Sequence, residues 1–315
     1  MQNNNKPGVF SFIWLLLLIA ATVPLLISYL GALHPMLDSV AHFRRHMAFV
    51  LIVATIPLFF TSFKRFGLAI IAFSLFCVLS TYQTQGLKPT SISGTRHFKL
   101  IQTNLRYDNP HSQKLIDLLN SEKPDFVTYQ EASGHWQKAL SEFAQTNNYY
   151  TFKCERAQRS TIGATGFLSI YPFVNTMPEA ACPNDAGIAT AMVDIGAKTP
   201  LKLSSLHLFW PWPHQQKSQI IALPLTKEPL QLIGGDFNAT SWSYAVKFIE
   251  DNTATRHVNG IASSWLSYSL PDSIRPILGL PIDQILLSDE FKLNKVEQLP
   301  SIGSDHLPMK VEFSL

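Results

Sequence analysis

The sequence predicts an α/β domain, or α+β in the wider sense, preceded by a membrane anchor of three transmembrane α-helices. Residues 1–87 hold six charged side chains, whereas the following 228 residues hold 41. Long charge-free apolar runs occur in the first part, and short apolar runs alternate with amphipathic segments in the second. An apolar content of 46% and only three cysteines exclude a disordered chain and a small disulfide-dense domain.

The anchor, residues 1–87, contains three apolar stretches that predict helices over about residues 9–30, 47–63 and 66–84. About 20 apolar residues cross the ~30 Å hydrocarbon core of a bilayer. A cleavable signal peptide is the alternative for the first stretch, because Lys6 precedes it, but the two later stretches favour three spans. We therefore expect a multi-pass protein of the cell (inner) membrane whose partner is the lipid bilayer, and we infer no obligate protein partner.

The side of the membrane on which the domain lies does not follow from the distribution of Lys and Arg, which is ambiguous. With three spans and an inside amino terminus, the domain faces the periplasm or the exterior. Cys154 and Cys182 lie close to two predicted strands, and such a pair can bridge on an oxidising side. Two unrelated buried thiols explain the same residues equally well, so the disulfide stays open here.

A linker over residues 88–97 precedes a domain over residues 98–315. Its predicted strands are FKLIQTN, DFVTYQ, YYTFKC, TGFLSI, TAMVDI, LKLSSLHL, LQLIGG, DQILLS and MKVEFSL, and its predicted helices are SQKLIDLLNSE, GHWQKALSEFAQ, HQQKSQIIAL and SWSYAVKFIEDN. This alternation indicates a single domain with a two-sheet core. The anchor carries a net charge of +4 and the rest of the chain −1, which weakens, without excluding, a nuclease of long polymers.

Polar side chains stand near the ends of six predicted strand segments, where a rigid scaffold can bring them to one point. They are Asn104, Glu131, His207, Asp236, Asn238, Asp283, Asp305 and His306. Taken singly, most have an ordinary explanation as a turn residue, a helix cap or a core histidine. The GGDFN motif at residues 234–238 is more specific, because two glycines allow close backbone approach beside two oxygen-bearing side chains.

Other chemistries lack their motifs. The chain has no C-x-x-C, H-E-x-x-H, Walker A, G-x-G-x-x-G or G-x-S-x-G pattern. Ser304, Asp305 and His306 are adjacent and cannot form a Ser–His–Asp relay. Oxygen ligands from Glu, Asp and Asn suit a hard cation, which makes Mg²⁺ the first choice and Mn²⁺ the alternative.

The ordered motifs QTN, QE, LHL, GDFN, IDQIL and SDHLP resemble those of the endonuclease/exonuclease/phosphatase superfamily, the deoxyribonuclease-I-like phosphoesterases that depend on Mg²⁺. The resemblance covers about residues 97–315. It is closest to the bacterial branch with N-terminal transmembrane helices, in which a Trp- and Pro-rich stretch follows the histidine, here LFWPWP at 208–213. The resemblance implies a four-layered α/β/β/α sandwich.

The resemblance also implies a role for each matching residue. At the metal, Glu131 would be the main ligand, Asn104 would orient metal-bound water or phosphate, and Asp305 would support the ion. Asp236 would activate or position the attacking water, and Asn238 would hold a phosphate oxygen. His306 would contact the scissile phosphate, oriented by Asp283. His207 would stabilise the developing charge or protonate the leaving oxygen.

Two departures from the family pattern concern phosphate and metal contacts. Arg106 stands where the abasic-site nucleases of the family have an acidic residue, and the LSIYP sequence at 168–172 lacks the arginine of the family's L-S-R-x-P motif. We expect a membrane-tethered, Mg²⁺-dependent phosphoesterase that hydrolyses phosphodiester bonds of nucleic acid or phospholipid. The alternative is a non-catalytic membrane protein that binds a phosphate-bearing ligand.

Overall fold

The computed structural model describes residues 8–82, 84–90, 94–155, 163–174, 182–183 and 187–315. Internal contacts divide the chain into two compact units. The first comprises the chain up to Thr84 with Pro211–Pro213 and Trp242–Tyr244. The second comprises Gln85–Trp210, His214–Ser241 and Ala245–Leu315.

The first unit is helical. Its helices are α1 (Val9–Ile27), α2 (Pro35–His42), α3 (Arg44–Thr55) and α4 (Lys64–Ser80), and a 3₁₀ turn covers Ile56–Phe60. A small apolar core joins α1, α3 and α4, with Leu18, Leu51 and Ile70 among its buried members. Most other apolar side chains of α1 are exposed, as expected of a helix that does not fold around a soluble core.

The prediction of three membrane spans is wrong for the described helices. By length and composition α1 is the one helix among them able to span, with a mean hydropathy of 2.5, and it fits a membrane span or a signal sequence. The pair Pro35–His42 and Arg44–Phe60, bent by 61°, would add a second. The predicted 47–63 span is broken because α3 ends just before Pro57, and α4 has only 17 residues with Lys64 and Arg65 at its start.

The second unit contains two mixed sheets. The six-stranded sheet has the order β10-β11-β1-β2-β4-β3 and the five-stranded sheet the order β5-β6-β7-β9-β8. The strands are β1 (His97–Asn104), β2 (Phe126–Ala132), β3 (Tyr150–Cys154), β4 (Ala164–Ser169), β5 (Ile188–Val193), β6 (Leu201–His207), β7 (Gln231–Asp236), β8 (Thr255–His257), β9 (Asp283–Ser288), β10 (Lys292–Gln298) and β11 (Met309–Ser314). The helices are α5 (Ser112–Glu122), α6 (Gly134–Asn147), α7 (Gln216–Ala222), α8 (Tyr244–Thr253) and α9 (Arg275–Leu278), with a 3₁₀ turn at Asp272–Ile274.

The main core combines apolar side chains of both sheets, such as Phe98 and Phe167 of one with Leu203 and Leu232 of the other. Helices α5 and α6 bury apolar faces in a second core with β1, β2 and β4. The second unit is therefore an α/β sandwich, in agreement with the predicted fold class. Strand β1 changes along its length from apolar residues to Gln102 and Asn104, both fully buried, and this polar end leads to the candidate site.

Each of the nine predicted strand segments contains a strand, and each of the four predicted helical segments contains a helix. The sequence analysis missed β8 and β10. Strand β8 has only three residues, and β10 is a partly exposed edge strand rich in Lys, Asn and Glu. Edge strands carry charged residues that discourage pairing with other chains, which removes the apolar pattern used for prediction.

Candidate active site

Three polar residues lie side by side across the five-stranded sheet. His207 of β6 is paired with Asp236 of β7 in the parallel register, and Asp236 is paired with Asp283 of β9 in the antiparallel register. Each residue stands at the end or the start of its strand, so the three form one row across the strand ends at one end of the sheet. All three side chains are buried.

The six-stranded sheet adds Asn104 at the end of β1 and Glu131 near the end of β2. The Asn104 amide nitrogen donates to Oδ2 of Asp236 at 2.9 Å and to Oε1 of Glu131 at 3.1 Å. The Asn104 amide oxygen accepts the N–H of Arg106 at 2.9 Å. Nε2 of His207 lies 3.7 Å from each of these two carboxylate oxygens. Residues from both sheets therefore meet at one point.

His306 lies beside this group in the segment between β10 and β11. Its Nδ1 is 2.8 Å from Oδ2 of Asp283, and its Nε2 is 3.7 Å from Oδ2 of Asp236. Burial by itself lowers the pKa of His306, but the carboxylates of Asp283 and Asp236 outweigh burial and raise the pKa to about 10. His306 is thus an imidazolium at neutral pH, held in one orientation by Asp283.

For Asp236, in contrast to His306, the pKa shifts in the direction that burial favours. Its burial and the nearby carboxylate of Asp283 raise the pKa to about 7, although His306, the Asn238 N–H and Asn104 each favour the ionised form. A carboxyl group whose pKa lies near neutrality is suited to accept a proton and release it again.

The backbone at the site is held in an unusual conformation. Glu131, Arg106 and Asn238 have positive φ values of 60°, 57° and 46°. Three other non-glycine residues in the described ranges share this feature: Lys123 and Asn148, which are ordinary left-handed caps of α5 and α6, and Ala254, which lies between α8 and β8. Left-handed residues other than Gly and Asn cost roughly 1–2 kcal/mol, so the fold maintains strain at this point.

The remaining predicted residues lie around the same centre. Asn238 donates its amide N–H to the carbonyl oxygen of Leu208 at 2.8 Å, while its backbone N–H bonds Oδ1 of Asp236 at 2.9 Å. Oδ2 of Asp305 accepts the indole N–H of Trp265 at 3.1 Å. The geometry brings six predicted residues into direct contact or within 4 Å of another member, namely Asn104, Glu131, His207, Asp236, Asp283 and His306.

A divalent cation fits one part of this site. Ligand atoms of Glu131, His207 and Asp236 lie within 4.8 Å of one another, and two carboxylates with an imidazole are suitable ligands. Asp236, Asp283 and His306 form a second such group in the described ranges. The second group fits less well, because a protonated His306 has no lone pair to offer.

Sequence reasoning missed several residues that fix the site. Ser304 Oγ donates to the carbonyl oxygen of Asn104 at 2.9 Å and so ties the SDH segment to the end of β1. Gln102 donates to Gln130 at 2.6 Å and to Oδ1 of Asp283 at 3.3 Å. A glutamine inside the apolar strand FKLIQTN was an available signal, since buried polar groups need partners. No comparable sequence signal marks Trp265, which lies in a serine-rich loop.

The sequence profile of the Endonuclease/Exonuclease/phosphatase family matches residues 98–306, about two thirds of the chain. The chain belongs to this family. All eight predicted site residues fall inside the matched range, and the family resemblance stated from the motifs is confirmed. A search among curated proteins gives no match.

Solved structures share the fold of the second unit. An endonuclease/exonuclease/phosphatase from Bacteroides vulgatus has a TM-score of 0.53 at 15% identity, covering 70% of this chain and 100% of that chain. An AP endonuclease from Archaeoglobus fulgidus has a TM-score of 0.53 at 14% identity, covering 68% and 98%. D. rerio TDP2 complexed with a single-strand DNA product has a TM-score of 0.51 at 15% identity, covering 70% and 100%. At these identities the likeness concerns the fold.

Proposed function

We propose that this endonuclease/exonuclease/phosphatase family member is a metal-dependent phosphodiesterase tethered to a membrane. One observation carries the proposal: side chains at the strand ends of both sheets lie close together. They are Glu131, His207 and Asp236 with the hydrogen-bonded pair Asp283 and His306. Support also comes from two family structures, one named as an AP endonuclease and one holding a DNA product. The substrate is a phosphodiester of nucleic acid or phospholipid.

The residues divide the reaction between them. Asp236, whose Oδ2 lies 3.7 Å from Nε2 of both His207 and His306, accepts a proton from the attacking water. The imidazolium of His306 faces the phosphate and stabilises the negative charge that grows during in-line attack. His207 stabilises or protonates the leaving oxygen, and Asn238 holds a phosphate oxygen.

Mg²⁺ is the cation we propose; Glu131 would be its main ligand, beside the carboxylate of Asp236. When bound, such an ion neutralises phosphate charge and lowers the pKa of bound water. Asn104 holds the carboxylates of Glu131 and Asp236 at a fixed separation through its amide N–H groups. We further propose that Asp305 would support the ion and that Asn104 would orient a water molecule or a phosphate oxygen.

The tether is α1, whose 19 predominantly apolar residues are long enough to cross a bilayer. Cys154 and Cys182 form a disulfide in the second unit. Because disulfides persist in oxidising compartments, we propose that the catalytic unit lies on the periplasmic or extracellular side. Blocking free thiols in intact cells, followed by reduction and labelling, tests this: Cys154 and Cys182 should label only after reduction.

The activity is tested with the full chain in lipid nanodiscs, supplied with Mg²⁺ or EDTA. The substrates are bis-p-nitrophenyl phosphate, single- and double-stranded DNA, and phospholipid vesicles. We expect metal-dependent turnover that falls by about 10²-fold or more in Asp236→Asn and in His306→Ala. Asp251→Asn, which removes an exposed carboxylate of α8, is the matched control and should keep full activity.

Full turnover in both site variants would refute the assignment of these residues. A folded protein that binds neither Mg²⁺ nor Mn²⁺ and turns over no substrate would favour the non-catalytic alternative.

A further inference from the structure

Exposed apolar side chains concentrate on one loop of the second unit. Ten large apolar or aromatic residues of this unit are exposed among those that the structure describes. Four of them lie in residues 267–279, which we call the apolar loop: Tyr268, Leu270, Ile277 and Leu278 are 71%, 41%, 64% and 47% exposed. Single exposed apolar residues are ordinary, but four within eleven residues indicate a contact surface.

The apolar loop is anchored at its base by Arg275. This buried guanidinium donates to the carbonyl oxygen of Ser264 at 2.7 Å and to that of Asp305 at 2.9 Å. It also bonds Oδ1 of Asp272 at 2.6 Å. The exposed side chains therefore project from a fixed base, and that base is joined to the segment that carries His306.

The apolar loop carries no uncompensated charge. Asp272 and Arg275 are the only charged residues between Leu266 and Ile282, and they pair with each other. Removing an unpaired charge from water is costly, whereas a paired charge at the base of a loop does not oppose contact with an apolar phase. The guanidinium of Arg106 lies 3.9 Å from the ring centre of Tyr268 and is itself paired with Asp108, so Leu270, Ile277 and Leu278 are the side chains best placed to enter an apolar environment.

The size of this surface and the presence of α1 in the same chain favour a lipid surface over a protein as its partner. A stable protein interface takes about 800 Å² from each partner, and four side chains expose only on the order of a few hundred Å². A lipid surface needs no such area, since a few apolar and aromatic side chains insert at the headgroup level. The same chain carries α1, a helix fit to span a bilayer.

We propose that the apolar loop inserts into the surface of a lipid bilayer and that the substrate of the adjacent site is a phosphodiester in a lipid headgroup. The second part rests on the proposed phosphodiesterase function. Trp265, next to the loop, donates to Asp305 and pairs with His306, so the loop is joined directly to the site. Water then adds to phosphorus and one phosphorus–oxygen ester bond breaks, which leaves a phosphomonoester and an alcohol.

The first test measures insertion without relying on catalysis. A Cys77→Ala variant of the full chain receives Ile277→Cys, is labelled with a fluorescent probe and is reconstituted in phosphatidylethanolamine/phosphatidylglycerol vesicles. Nitroxide-labelled lipids should quench a probe at 277 strongly. Lys138→Cys, on the exposed face of α6, is the control position. Quenching at 277 no greater than at 138 overturns the proposal.

The second test separates the surface from the chemistry. Ile277→Ser/Leu278→Ser should reduce hydrolysis of vesicle phospholipid by about tenfold or more and leave hydrolysis of bis-p-nitrophenyl phosphate unchanged. The matched control is Ile170→Ser, which replaces an exposed isoleucine just after β4, at the end of the sheet away from the site. An equal loss on both substrates, or no loss on either, contradicts the proposed role of the loop.

The two proposals fail in different ways. If the wild-type chain hydrolyses neither substrate with metal, the phosphodiesterase function is wrong, whatever the quenching shows. If it hydrolyses bis-p-nitrophenyl phosphate and DNA but not vesicle phospholipid, the catalytic function stands and the lipid substrate is wrong.

Discussion

Nδ1 of His306 lies 2.8 Å from Oδ2 of Asp283, and both side chains are buried. Asp283 begins β9, whereas His306 lies in the connection that follows β10. The contact therefore joins the start of β9, which pairs with β7, to the connection between β10 and β11. The contact holds the positively charged imidazole of His306 in place, with its Nε2 3.7 Å from Oδ2 of Asp236.

In the metal-free protein, we expect the His306 imidazole to titrate with a pKa of about 10, because two carboxylates stabilise its charged form. Asp283→Asn should lower this pKa toward or below the ordinary value of about 6.5. Nuclear magnetic resonance of histidine-labelled protein, with His306→Gln used for assignment, measures both. A wild-type pKa near 6.5 would show that the pair does not form.

The same shift fixes the sign of the pH dependence of stability. The pKa of His306 is higher in the folded state than in the unfolded chain, so the stabilisation is complete below about pH 6.5 and is lost as the pH rises through about 10. The difference in unfolding free energy between wild type and Asp283→Asn should therefore shrink at high pH. A difference that grows over this range would contradict the assignment.

Cation binding should depend on the protonation of Asp236. Burial and the charge of Asp283 raise its pKa to about 7, and a cation binds only the carboxylate form. We expect affinity to rise by up to about tenfold per pH unit below pH 7 and to level off above it. Calorimetric titration with Mg²⁺ or Mn²⁺ in two buffers of different ionisation enthalpy measures the released proton. In Asp236→Asn this pH dependence should vanish.

Trp265 should act as a positioning residue. Trp265→Phe keeps an aromatic ring against Trp210, whose ring centre lies 5.4 Å away, but removes the hydrogen bond to Asp305. Because Asp305 loses the bond that orients it, we expect turnover to fall by about tenfold or more. A hydrogen bond to a charged group contributes about 1.5–3 kcal/mol to stability, so the melting temperature should also fall by several degrees. Metal titration of the same variant provides a second readout. Unchanged turnover and unchanged metal affinity would show that Trp265 does not position Asp305.

Gly235 should be intolerant of any side chain. A Cβ at this position would collide with the backbone carbonyl of Leu206 in the neighbouring strand, where neither atom can move without breaking the sheet. Gly235→Ala should therefore destabilise the protein by about 3 kcal/mol or more, measured by thermal unfolding. Gly134→Ala is the control, because a Cβ there meets open space. Equal stability of the two variants would contradict the close approach of β6 and β7.

Local pattern was enough to predict most strands, because inward-facing residues such as Phe98, Val127 and Leu232 recur at strand spacing between turn residues. The anchor was harder to predict. Hydropathy is averaged over a window, which hides the place where a helix ends. The apolar count joined residues 47–63 into one span, whereas in the structure the α-helix ends just before Pro57. The short edge strand β8 has too few residues to show any period.

The candidate site was predictable where several motifs had to occur in one order, and it was not predictable where one long-range contact decides. Trp265 and Asp305 are 40 residues apart, and nothing around Trp265 distinguishes it from a loop tryptophan. Arg275 reads as an exposed charge in a proline-rich loop, yet it is buried by carbonyl groups of two other segments. Such partners are fixed by tertiary structure, which local pattern does not encode.

The row of His207, Asp236 and Asp283 across three neighbouring strands makes catalysis a sensitive report of correct folding. Side chains alternate between faces along a strand, so a slip of one residue between β6 and β7 or between β7 and β9 would turn Asp236 away from its partners. A chain that collapsed with misaligned strands could still look compact and helical by spectroscopy. It would have no working centre, and an unpaired imidazole or carboxylate would be left in its core.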